Sequence, residues 1–123
     1  MADRKKRGRL SRSGDFDRVY RDGRSQANRY LVLYAFPRVE QQASDGVRLG
    51  ISVSRKVGGA VERNAVKRAL REAFWALDAG GALEHDFVIV ARPDSAGLVE
   101  REGTGGVRAA LAELMAAAGL RAA

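Results

Sequence analysis

"RLGISVSRKVGGAVERNAVKRALREAF", Arg48 to Phe74, changes its period halfway along. Up to Val53 the apolar residues alternate. Leu49, Ile51 and Val53 face one way and Arg48, Gly50, Ser52 and Ser54 the other, the pattern of a strand with one buried face. After the glycine turn "KVGGAV" the spacing becomes helical. At 100° per residue, Val66, Leu70, Ala73 and Leu77 fall within ~60° of one another, with Phe74 beside them. A half-buried strand that turns directly into an amphipathic helix predicts an α/β chain.

The rest of that helix is unusual. Arg63, Asn64, Lys67, Arg68 and Arg71 cover the adjoining ~140°, so one face is apolar and the next is almost purely cationic. Like charges three or four residues apart cost a helix a few tenths of a kcal/mol each. Only Glu72, four residues after Arg68, relieves the repulsion, and Arg63 lies in the first turn, where anions are favoured. Local stability does not explain such a face, whereas an anionic partner does.

Working outward, "SGDFDRVYRDG" predicts a short helix with Ser13 as N-cap and Gly23 as its stop, placing Phe16 and Tyr20 one turn apart. "RYLVLYAF" predicts a strand covered on both faces, with Tyr30, Val32 and Tyr34 on one side and Leu31, Leu33 and Ala35 on the other. "HDFVIVA" predicts a second fully buried strand. Residues 92–106 read as a connection, and "GVRAALAELMAAAGL" as a final helix with Val107, Leu111, Leu114 and Met115 as its apolar stripe and Gly119 as its stop. No repeat appears. The expected whole is a single domain over residues 1–123, a compact α/β (α+β) sandwich, with residues 1–9 as a mobile basic arm.

Charge is localised. The chain of 123 residues carries a net +7, yet residues 1–29 hold ten Lys or Arg against four Asp, and residues 55–71 hold six against Glu62 alone. The remainder is net acidic. Two basic segments on an otherwise acidic chain are the footprint of a protein that meets a polyanion, nucleic acid before membrane. The longest apolar run, "YLVLYAF", falls far short of a membrane span of ~20 residues, and no apolar signal region follows the basic start. There are no cysteines, which removes thiol chemistry and fits a reducing cytoplasm.

Catalytic constellations are missing. The single histidine, His85, stands alone beside Asp86, and no P-loop, GxSxG or HExxH pattern occurs. The equipment is for RNA: cations for phosphates, Asn64 for a base edge or ordered water, and Phe16, Tyr20 and Tyr34 as rings on which unstacked bases can lie.

These segments, "RLSRSGDFDRVYRDGRS", "ANRYLVLY", "RLGISVSRKVGGAVERNAVKRALREAF" and "HDFVIVAR", resemble in order and spacing the protein subunit of bacterial ribonuclease P. The resemblance implies a ribonucleoprotein in which the RNA subunit holds the active site and the catalytic Mg2+ and removes the 5′ leader of precursor tRNA. It implies no catalytic residue, no bound metal and no small-molecule cofactor in the protein. It further implies a sandwich whose basic helix lies in an unusual left-handed βαβ crossover. Phe16, Tyr20 and Tyr34, with Ser52 and Ser54, match the family's leader cleft. Arg63, Asn64, Lys67, Arg68 and Arg71, flanked by Arg55 and Lys56, match its basic helix. Where the family usually reads Arg-Asn-Arg, this chain has Arg63-Asn64-Ala65. The competing reading is a structural RNA-binding protein such as a ribosomal component, which would need no cleft of aromatics for a flexible strand.

Overall fold

The computed structural model describes residues 7–9, 24–37, 47–77 and 85–119. Among these residues the elements are β1 (Arg7–Arg9), β2 (Arg24–Ala27), β3 (Leu31–Pro37), β4 (Val47–Val53), α1 (Ala60–Ala76), β5 (His85–Ala91) and α2 (Ser95–Ala117). The strands form one mixed sheet in the order β1-β4-β5-β3-β2. β4 runs parallel to both β1 and β5, and β3 runs antiparallel to both β5 and β2. The basic helix α1 is therefore the crossover between two parallel neighbours, β4 and β5.

Both helices pack on one face of the sheet and against each other, α1 over β4 and α2 over β3 and β2. The core between the layers follows the alternation in the sequence. Leu31, Leu33 and Ala35 from β3, Leu49 from β4, and Phe87, Ile89 and Ala91 from β5 meet Val66, Leu70 and Phe74 of α1 and Leu111, Leu114 and Met115 of α2. Phe87 is fully enclosed, its ring 5.2 Å from that of Phe74. Burying side chains of this size stabilises the fold by about 1.5–3 kcal/mol each, which offsets the charge repulsion along α1 many times over.

Several segments differ from the sequence reading. Arg7–Arg9, expected as the end of a mobile arm, pair with Val47–Leu49 as the edge strand β1. β2 had no signal at all. Both strands are short, polar and held by main-chain bonds, so neither leaves an apolar period to read. Tyr30 does not share the face of Val32 and Tyr34. It sits in a bend before β3 and packs against the core between sheet and helices.

Residues 95–102, read as connection, are helical. Gly97 within it and Gly103, Gly105 and Gly106 just beyond it depress helix propensity, but burial of Leu98 carries the segment into the core. At Gly103 (φ 64°, ψ −155°) α2 kinks between two helical runs, a backbone state essentially confined to glycine.

One side chain ties the layers together at the β2–β3 turn. Asn28 Nδ2 donates to Ala110 O at 3.0 Å and to Glu113 Oε1 at 2.9 Å, both on α2. Its Oδ1 accepts from the N–H groups of Tyr30 and Leu31, each at 3.0 Å. Nearby, Arg29 Nε donates to Asp94 Oδ2 at 2.8 Å, pinning the turn to the start of α2.

Candidate nucleic-acid interface

α1 begins where Glu62 reaches back. Its carboxylate accepts the Gly59 N–H at 3.0 Å, and Gly59 O accepts the Arg63 N–H at 2.9 Å, so two terminal backbone groups are satisfied at the entry. Gly58 is required by space, because a Cβ there would stand 2.8 Å from Glu62 Cβ. With the start fixed, Val66, Ala69, Leu70, Ala73 and Phe74 turn inward, and the cations are carried to the other side by the 100° step.

Arg63 and Lys67 are half-buried on the flank turned away from α2, while Asn64, Arg68 and Arg71 are exposed on the outer face. The structure thus brings all five predicted residues of this helix onto one continuous surface. Among the described residues, none of Arg55, Lys56, Arg63, Lys67, Arg68 or Arg71 forms an ion pair. Arg63 Nε is buried with no hydrogen-bond partner. Glu72, the one carboxylate expected to relieve the repulsion, instead accepts the Thr104 hydroxyl at 3.1 Å and so joins α1 to α2 just past the kink. Ala65 is half-buried.

The turn between β4 and α1 adds Ser54, Arg55 and Lys56. The Ser54 Oγ accepts the Lys56 N–H at 3.3 Å and Ser54 O accepts the Val57 N–H at 3.1 Å, a closed turn that leaves the Arg55 and Lys56 side chains in solvent.

The second face of the sheet carries the other predicted set. Register places Gly50, Val88 and Tyr34 abreast across β4, β5 and β3, with Ser52, Val90 and Val32 in the next row. Tyr34 and Ser52 therefore share one face, on the opposite side of the sheet from α1. Phe16 and Tyr20 lie outside the described residues.

Two features of this region escaped the sequence reading. Arg48 and Asp86, side by side in the same register, form a two-pronged ion pair (Nε to Oδ1 2.9 Å, Nη2 to Oδ2 2.8 Å), with Asp86 fully buried. Their abutting strands, 38 residues apart, would have revealed it once the pairing was known. Arg92, directly after β5, donates from Nη1 to Asn28 O at 3.1 Å and remains exposed.

No group of three or more potential metal-ligating His, Cys, Asp or Glu occurs among the described residues. No described helix is long and apolar enough to cross a membrane.

Comparison with known proteins gives a consistent answer. The family model "Ribonuclease P" matches residues 5–115. The ribonuclease P protein component of Bacillus pumilus is 41% identical over 100 residues, 80% of each chain. That of Halalkalibacterium halodurans is 41% identical over 101 residues, 82% of each chain. Among solved structures, the RNase P protein of Staphylococcus aureus superposes with a TM-score of 0.75 at 34% identity, covering 91% of this chain and 95% of that one. The Thermotoga maritima protein gives 0.69 at 33% identity, with coverage of 84% and 90%. The chain belongs to the bacterial ribonuclease P protein family, the accessory protein component of the ribonucleoprotein whose RNA removes the 5′ leader from precursor tRNA.

Proposed function

We propose that the two faces of this protein divide the RNA between them. On α1, Arg63, Asn64, Lys67, Arg68 and Arg71, continued by Arg55 and Lys56, meet phosphates of the RNA subunit and of the leader close to it. On the second sheet face Tyr34 and Ser52, with Ser54 in the turn that follows β4, take the single-stranded leader, and Phe16 and Tyr20 serve the same leader. The small, half-buried Ser52 leaves room for a strand to lie against that end of the sheet. The catalytic Mg2+ belong to the RNA subunit, and the work is done in the cytoplasm without a membrane or small-molecule cofactor.

The observation that carries the reading is the set of unpaired cations. Helix α1 brings four Lys or Arg together with, among the described residues, no carboxylate bound to any of them. Folding gains nothing from such a surface, whereas an RNA backbone gains a counter-charge at each position.

The test is cleavage of a precursor tRNA by a bacterial ribonuclease P RNA at limiting Mg2+, with and without this chain. Strong stimulation is expected, with the chain inert alone. Tight RNA binding without stimulation would favour a structural RNA-binding role instead.

A further inference from the structure

A shallow depression of about 590 Å³ opens on the outer face of α1, its described lining being Arg68, Arg71, Glu72, Trp75 and Ala76. These positions are spaced three, four, seven and eight residues from the first, so they form one unbroken stripe. Trp75 is the only tryptophan in the chain. It is half-buried against the rim of the core. Its ring stands edge-on to Phe74 at 4.9 Å and 84°, a contact that holds the indole in place.

One and two turns back along the helix, Arg71 and Arg68 are exposed and take part in no ion pair among the described residues. The one carboxylate in the described lining, Glu72, is engaged by the Thr104 hydroxyl.

Three properties coincide here: concavity, an aromatic wall, and two unpaired guanidinium groups at one end. A volume of several hundred Å³ suits a ligand of nucleotide size. A bare phosphate would have no use for the indole. An apolar protein segment would have to bury two cations without counter-charges. An unpaired nucleotide uses all three, because its base stacks on an aromatic ring while its phosphates meet the cations.

We propose that this depression receives one unpaired nucleotide of an RNA, its base stacked on Trp75 and its phosphates held by Arg68 and Arg71. The inference rests on the reading of α1 as an RNA-facing helix and adds a base platform to it. That platform lies on the opposite side of the sheet from Tyr34. The nucleotide comes either from the RNA subunit or from the precursor tRNA, since both present unpaired bases.

Trp75 is its own reporter. Its fluorescence is followed while the full chain is titrated separately with a bacterial ribonuclease P RNA and with a leader-bearing precursor tRNA. Quenching by one of them is expected, and identifies the source. Affinity for that RNA is then measured for Trp75→Phe, Trp75→Leu and Arg71→Ala. Trp75→Phe should stay within a few-fold of the parent. Trp75→Leu, which still covers the core rim, should lose about 5- to 150-fold, the range of one base–aromatic stack.

Emission unmoved at saturation by both RNAs would overturn the proposal, as would unchanged affinity in Trp75→Leu. If Arg71→Ala weakens binding in either of those cases, α1 remains an RNA-facing helix without a base platform. If Arg71→Ala also binds normally, the RNA-facing reading of the helix falls with it.

Discussion

Asn28 satisfies both donors and twice satisfies its acceptor, and it reaches across 82 and 85 residues of sequence to do so. Nothing in "ANRYLVLY" announces this, because the partners lie on a helix near the other end of the chain. Asn28→Ala removes four hydrogen bonds at a part-buried joint between layers. The expected loss of stability is on the order of 2 kcal/mol, read as a lower urea midpoint with unchanged slope.

Asp94 offers a second check at this scale. The hydrogen bond from Arg29, and then its charge, hold the Asp94 carboxyl below the ordinary carboxylate range. A group whose folded pKa is lowered contributes its stabilisation above the ordinary carboxylate range and loses it as pH falls through the lowered value. Both side chains are open to solvent, 71% and 53% exposed, so salt screens the pair and its share of stability is small. The site-specific titration is the sharper readout. By NMR the Asp94 carboxyl should titrate low in the native chain and move upward in Arg29→Ala.

Of the two described helices, α1 was the more legible. The apolar stripe of α1 has an uninterrupted period, and the flank beside it is so one-sidedly cationic that its surface could be drawn from the letters alone. α2 hides its first half behind Gly97, Gly103, Gly105 and Gly106, whose individual propensity argues against a helix. Its position is decided by what Leu98 packs against, a tertiary effect outside any local window.

The cationic flank carries its own expectation. Replacing Lys67 or Arg71 by Ala should weaken RNA binding across sequences and flatten its dependence on salt, by about 0.7–0.9 in log–log slope for each phosphate no longer neutralised. Affinity measured over a range of KCl concentrations decides it. An unaltered slope would remove that residue from the interface.

For the whole molecule, alternation in β4 told which of its residues face the core, whereas β3 and β5 are apolar at every position and do not show which row meets the helices. Strand order was not readable. Periodicity assigns faces but never neighbours, and β1 and β2 enter the sheet through main-chain bonds that leave no mark on side-chain chemistry. The candidate site divides in the same way. The α1 residues gather on one surface because a single helix sets their geometry. The relation of Tyr34 to Ser52 instead depends on β5 running between their strands. Tyr34→Ala tests that assembled face. On the proposed reading it should weaken binding of leader-bearing precursor tRNA to the holoenzyme far more than binding of mature tRNA, by about 1–3 kcal/mol. Equal losses for both would take Tyr34 out of the leader cleft.

The place of β5 at the centre of the sheet has a consequence for how the chain acquires its structure. β4 and β3 do not pair with each other; each pairs with β5. During synthesis from the N-terminus, every other strand and α1 emerge before the strand that unites them. Until residue 91 is available, β1 with β4 and β2 with β3 remain two separate ribbons, and two-stranded ribbons are marginal in water at best. Completion of the sheet therefore awaits most of the chain. The closing contacts span tens of residues, an arrangement that makes for slow folding. Through that interval the cations of α1 are already exposed while the core that will hold the helix in place is still open.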